Sequence, residues 1–191
     1  MPRRIGLDFD GVISNCASTL SAAALDVFGL SVAATHFLFQ ESMVLNAMLH
    51  GNYEALKDEV YLSKEWTERT PLIAGAKEGI GALLAANHHL VIVTNRSQNV
   101  SEIVTHDLKL KLGFEPPEIR FVGRKICKRD AVEELQLDAF VDDSLEKLLS
   151  LRGLPCMRDL ICFTGRKVPP GIAALNDWLT LVEFLNKENQ P

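Results

Sequence analysis

The stretch RIGLDFDGV, residues 4–12, decides the fold. A short apolar run ends on two carboxylates, Asp8 and Asp10, and Gly11 follows at once. Apolar runs of this length without polar alternation are the pattern of strands buried on both faces. Further runs of the same kind lie at 89–95 (HLVIVTN), 118–123 (EIRFVG), 139–143 (AFVDD) and 160–164 (LICFT). Helical patterns separate them at 75–87, 97–113, 129–137 and 144–151, and a closing helix is expected over 176–187 with Asn176 as its N-cap. Strands alternating with helices predict an α/β fold, a parallel sheet covered by helices on both faces.

One connection is too long for that plan. A crossover from the first strand to Thr94 needs only residues 71–94, which leaves 14–70 in surplus. The surplus is not loop-like, and a structureless loop of that length is rare inside a compact domain. Its apolar periodic segments close on Gly29 and Gly51, the usual helix C-terminal signal, and a third runs from Asn52 to Trp66. The expectation is therefore an inserted module of about three helices over 14–70, within a core formed by 1–13 and 71–191. Pro116-Pro117 and Pro169-Pro170 mark loops.

Composition narrows the functional classes. The chain is 47% apolar and 24% charged, ordinary for a soluble globular protein. A net charge of -5 and a pI near 5.5 offer no general attraction to nucleic acid or to anionic lipid. No apolar run reaches the roughly 18 residues of a membrane span, and the N-terminus lacks the apolar core of a signal peptide. Cys16, Cys127, Cys156 and Cys162 form no CxxC pair, and the five histidines show no metal spacing. A cytoplasmic protein with reduced thiols is expected, without nucleic-acid or membrane partners, as a monomer or small homo-oligomer.

Ligands of parallel sheets bind outside the carboxyl ends of the strands. Four strands deliver polar groups there: Asp8 and Asp10; Thr94, Asn95 and Arg96; Lys125 and Lys128; Asp142, Asp143 and Ser144. Clustered carboxylates repel one another unless a cation lies between them, and oxygen-only ligands suit a hard ion such as Mg2+.

In their order and spacing, DFDGV (8–12), VIVTN (91–95), a lysine opening a helix and VDDS (141–144) resemble the haloacid dehalogenase (HAD) superfamily of phosphohydrolases. The resemblance covers residues 4–151 and implies a Rossmann-like HAD core, with 14–70 as a helical cap. It implies that Asp8 is the nucleophile, forming an aspartyl-phosphate, and that Asp10 is the general acid and base. Mg2+ would be held by Asp8, the backbone carbonyl of Asp10 and Asp143, with Asp142 acting through water. Thr94 would bind a phosphoryl oxygen, Lys128 would neutralise charge on the transferred group, and Gly11 gives the phosphate room. Asn95 and Arg96 either touch substrate or order the loop. Lys125 lies one turn from Lys128, which is favoured because it opens the helix. Ser14, Asn15 and Cys16, where the chain enters the insert, and His36 and Gln40 within it, are candidates for leaving-group contact.

The expected activity is Mg2+-dependent hydrolysis of a small soluble phosphate ester. Alternatives are a phosphotransferase such as a sugar-phosphate mutase, or a catalytically silent binding protein with the same fold.

Overall fold

The computed structural model describes residues 2–38, 42–123 and 127–187. Strands β1 (Arg4–Leu7), β2 (His89–Thr94), β3 (Glu118–Phe121), β4 (Ala139–Asp142), β5 (Asp159–Phe163) and β6 (Ala173–Leu175) form one sheet. All neighbours pair in parallel, in the order β3-β2-β1-β4-β5-β6. The order reverses at β1, which places a crevice outside its carboxyl end, between the chains leaving β2 and β4.

Five helices precede β2's crossover helix: α1 (Cys16–Phe28), α2 (Ala34–Phe37), α3 (Ser42–Met48), α4 (Tyr53–Leu62) and α5 (Lys64–Arg69). The rest flank the sheet: α6 (Ala76–Ala85), α7 (Ser101–Leu112), α8 (Lys128–Glu134), α9 (Leu145–Ser150) and α10 (Trp178–Lys187).

Period-two alternation within the strands builds two cores. Ile5, Leu7, Leu90 and Ile92 pack under Ile80, Val104, Trp178 and Leu181 on one face. Val91, Val93 and Phe140 meet Val132 and Leu148 on the other. Gly6 allows the second arrangement, because a Cβ there would lie 2.4 Å from Cδ2 of Phe140. Trp178 sits against α6, where a Cβ on Gly79 would meet its ring at 2.3 Å, and its Nε1 donates to Val12 O at 2.9 Å.

The inserted helices own a third core, which includes Leu20, Ala23, Leu45, Leu49, Leu56 and Trp66. Entry and exit run side by side: Asn15 N donates to Pro71 O at 2.9 Å, and Ile73 N to Ile13 O at 2.8 Å. Lys111 straps the exit to α7, donating to Thr67 O and Thr70 O at 2.9 and 2.6 Å while paired with Asp107. Gly29 ends α1 in the left-handed conformation, as its position predicts.

Three local readings change. Among the described residues the insert holds five helices where about three were expected. Ser63 splits the third segment, because its backbone is extended and its hydroxyl accepts from Trp66 N to start α5. The cap of α10 is Asp177, one residue later than expected, whose carboxylate accepts from Thr180 N at 2.9 Å. The four cysteines are free thiols. Among the described residues, no helix is long and apolar enough to cross a membrane.

Candidate active site

Sheet register determines the geometry. Leu7 pairs with both Ile92 and Val141, so the next residues, Asp8 and Asp142, stand abreast on adjacent strands. Two carboxylates this close need a cation, and Lys128, the first residue of α8, supplies one. Its Nζ lies 2.8 Å from Asp8 Oδ1 and 2.8 Å from Asp142 Oδ2, with all three side chains buried. Asp142 also accepts from Ser144 N at 2.8 Å. Burial disfavours its charge, but Lys128, Lys147 and the Ser144 amide outweigh that and hold it below the usual carboxylate range.

Asp8 and Asp143 experience the opposite balance. Burial first, then the charge of Asp142, pushes Asp8 up to about 6 against the pull of Lys128 and Lys147. Burial and the charges of Asp142 and Asp8 hold Asp143 well above its ordinary value. Asp143 faces Gly11, which has φ 88°, and a Cβ at Gly11 would lie 2.1 Å from Asp143 Oδ2. Only glycine fits there.

Asp8, Asp142 and Asp143 each offer an oxygen, and these lie within 4.8 Å of one another. An all-oxygen set with two carboxylates held short of ready ionisation fits a hard divalent cation. Within it, Asp142 is engaged by Lys128 and the Ser144 amide, whereas Asp143 opens to the cavity.

Asp10 lies outside this cluster, and its side chain is gripped by Arg96. Nε and Nη2 of Arg96 donate to the two carboxylate oxygens at 3.0 and 2.8 Å, and Nη1 donates to Thr67 Oγ1 in α5 at 3.1 Å. The guanidinium is 1% exposed and lies 5.0 and 5.1 Å from the ring centres of Phe9 and Tyr61. Such a two-pronged, stacked pair fixes the orientation of the carboxylate. Thr94 is fully buried, and its Oγ1 accepts from Arg96 N at 3.1 Å, so its own proton remains to be donated. Asn95 donates to Gly123 O at 2.8 Å, which ties the loop after β2 to the one after β3, and it lines the cavity.

The cavity above the strand ends has a volume of about 380 Å³. Its sheet side carries Asp8, Asp10, Asn95, Arg96, Asp143 and Lys147; the inserted helices contribute Cys16, Leu20, Phe37, Tyr53, Lys57 and Tyr61. Of the expected leaving-group contacts, Cys16 lines this space. Asn15 is occupied in capping α1, accepting from Ser18 N at 3.3 Å, and Ser14 and His36 do not line it. Gln40 and Lys125 lie outside the described residues.

Lys147 is a site residue that the sequence reading missed. Its Nζ lies 3.8 Å from Asp8 Oδ2, and although burial works against its charge, the surrounding carboxylates keep it firmly protonated. The signal was present: it stands one helical turn beyond Asp143. Tyr53 and Tyr61 were missed because aromatic residues at helical spacing read equally well as core, and Lys57 because a lone lysine on a helix reads as a solvent-facing charge.

No protein-family model matches the chain, and no curated protein matches it in sequence. Solved structures do match in fold. A predicted phosphatase from Clostridium acetobutylicum superposes with TM-score 0.67 at 14% identity, covering 98% of this chain and 99% of that one. A HAD family hydrolase from Deinococcus radiodurans R1, with bound phosphate and sodium, gives 0.66 at 16% identity over 98% and 96%. The fold is that of the HAD-family hydrolases. A predicted phosphoglycolate phosphatase from Haemophilus somnus 129pt shares it, with TM-score 0.63 at 15% identity over 96% and 98%. These matches run the whole length of this HAD fold, so they take in residues 14–70 as well as the sheet.

Proposed function

We propose that the protein is a Mg2+-dependent phosphomonoesterase working through an aspartyl-phosphate on Asp8. The observation that carries this reading is the trio at the strand ends: Asp8 and Asp142 abreast and bridged by Lys128, with Asp143 opposite Gly11 at the floor of the cavity. The phosphatases and hydrolases that share the fold support the same class of reaction.

In the first step a carboxylate oxygen of Asp8 bonds to phosphorus while the ester oxygen departs with the bond electrons and takes a proton from Asp10. In the second, Asp10 takes a proton from water as that water attacks phosphorus, which releases phosphate and restores Asp8. Asp8, the Asp10 carbonyl and Asp143 would hold Mg2+, which when bound would offset the negative charge that otherwise repels the attacking carboxylate. In this reading Lys128, Thr94 and Asn95 would bind the phosphoryl oxygens, and Lys147 would add a second ammonium beside Asp8. Arg96 serves as a positioning residue, because its fork holds Asp10 while its third nitrogen reports the seating of α5.

Residues 14–70 act in this reading as a cap that excludes bulk water and reads the leaving group. A screen of purified protein for phosphate release from a panel of small phosphate esters with Mg2+ tests the proposal. Release from at least one ester is expected; no release from any would defeat it.

A further inference from the structure

The two walls of the cavity differ in charge. Each carboxylate that lines it, Asp8, Asp10 and Asp143, belongs to the sheet side. Among the described residues, the helical wall carries a thiol, two phenols, apolar surface and one ammonium, that of Lys57, and no carboxylate or amide. The full charge on the described part of this wall is that ammonium, and its complement on a leaving group is an anion.

The phenols and the thiol do not become anions at neutral pH. Burial first, then neighbouring negative groups, pushes Tyr53 up to about 12 and lifts Tyr61 and Cys16 well above their ordinary values. Tyr53, Tyr61 and Cys16 line the same cavity as Asp8, Asp10 and Asp143, so this wall faces the phosphoryl site.

Lys57 is held but not consumed. Its Nζ lies 4.7 Å over the ring of Tyr53 and 2.5 Å from Glu54, whose side chain is 68% exposed. A pair with an exposed carboxylate one turn away is solvent-screened and weak, so the ammonium can exchange onto an anion entering the cavity.

We infer that the substrate carries a second anionic group on its leaving side, a carboxylate or a second phosphate, and that Lys57 receives it beside Tyr53. The inference rests on the phosphatase reading above and specifies its substrate class. The cavity must also hold the phosphoryl group, and at about 380 Å³ it leaves room for a leaving group of only a few carbons.

Matched esters test it. 3-Phosphoglycerate and glycerol 3-phosphate share a three-carbon skeleton and differ in carboxylate against hydroxymethyl; propane-1,3-diol bisphosphate supplies the phosphate arm. The wild-type protein should favour an anionic ester over glycerol 3-phosphate by about tenfold or more in kcat/KM, the worth of one charge-assisted hydrogen bond. Lys57→Met should bring that ratio to within about twofold of one, and Lys57→Arg should restore most of it. Preference for the carboxylate or for the bisphosphate tells which anion the site takes. No preference in the wild type, or a ratio that survives Lys57→Met, overturns the inference. If no ester turns over, the phosphatase reading fails first, and calorimetric binding of the same compounds with Mg2+ decides the inference by the same ratios.

Discussion

The two walls of the cavity are built on different principles. The sheet wall takes its geometry from strand register: Asp8 and Asp142 stand abreast because β1 and β4 pair in parallel, and Lys128 reaches both from the first turn of α8. The helical wall rests on its own hydrophobic core and joins the sheet through two adjacent chain passes and the Lys111 strap. Charged groups that must hold relative positions within fractions of an ångström sit on the rigid element. On the proposed reading, groups that read a leaving group sit on the element that can change without disturbing them. Chemistry and recognition are separable on that reading, and Arg96 bridges them, holding Asp10 with one edge and Thr67 with the other.

The largest effects should come from breaking the sheet wall. Asp8→Asn keeps the shape but removes the nucleophile, and phosphate release should fall by roughly 10³-fold or more. Exhaustive chelation should abolish turnover, Mg2+ should restore it, and Ca2+ should inhibit, because its larger and more variable coordination lets a carboxylate bind through both oxygens. Steady-state assays with each ion check this.

The bridge comes next. Arg96→Gln should lower kcat for an alkyl phosphate by about 10²-fold through misplacement of Asp10, with KM changed far less. In single-turnover formation of the phosphorylated protein its effect on p-nitrophenyl phosphate should be markedly smaller, since that leaving group hardly needs a proton. Equal losses on both esters would assign Arg96 a structural role only. On the helical wall, Tyr61→Phe removes one donor and should shift relative kcat/KM among substrates by about three- to tenfold, the worth of one neutral hydrogen bond. A uniform loss across substrates would break the separation of the two walls.

The smallest effect concerns stability without metal. Asp8 has a folded pKa raised to about 6, and Asp143 is raised as well, so the folded state binds more protons than the unfolded one above about pH 4. Stability must then fall as pH rises from about 4 to 6, because ionisation is disfavoured in the fold. Asp142 is shifted the other way, and its contribution is already complete across that window. Metal-free Tm should drop by roughly a few degrees between pH 5 and 7.5, and Mg2+ or Asp8→Asn should remove most of the drop. Thermal melts at the two pH values measure it.

How much of this was legible depended on the kind of signal. Strands β1, β2 and β4 could be read because burial on both faces writes an unbroken apolar run, and polar groups at their ends stand out against it. Strand β6 could not, because Ala173–Leu175 is a short, half-exposed edge with no such run. The insert was recognised by length and glycine placement, but the break at Ser63 depends on one hydroxyl choosing a cap over a continued helix. Arg96 was visible at a strand end, yet its grip on Asp10 joins positions far apart in sequence and needed the fold. Lys57 and Tyr61 share helices with core residues, so periodicity alone could not tell cavity from core.

The central claim is that Asp8 is a reactive carboxylate at a Mg2+ site. Beryllium fluoride adds to such a carboxylate as a stable mimic of its phosphorylated form, and ¹⁹F NMR reads the bound species directly. The wild-type protein should show protein-bound beryllofluoride resonances that require Mg2+ and vanish in Asp8→Asn. Absence of bound signal in the wild type, or an identical signal in Asp8→Asn, would contradict the account.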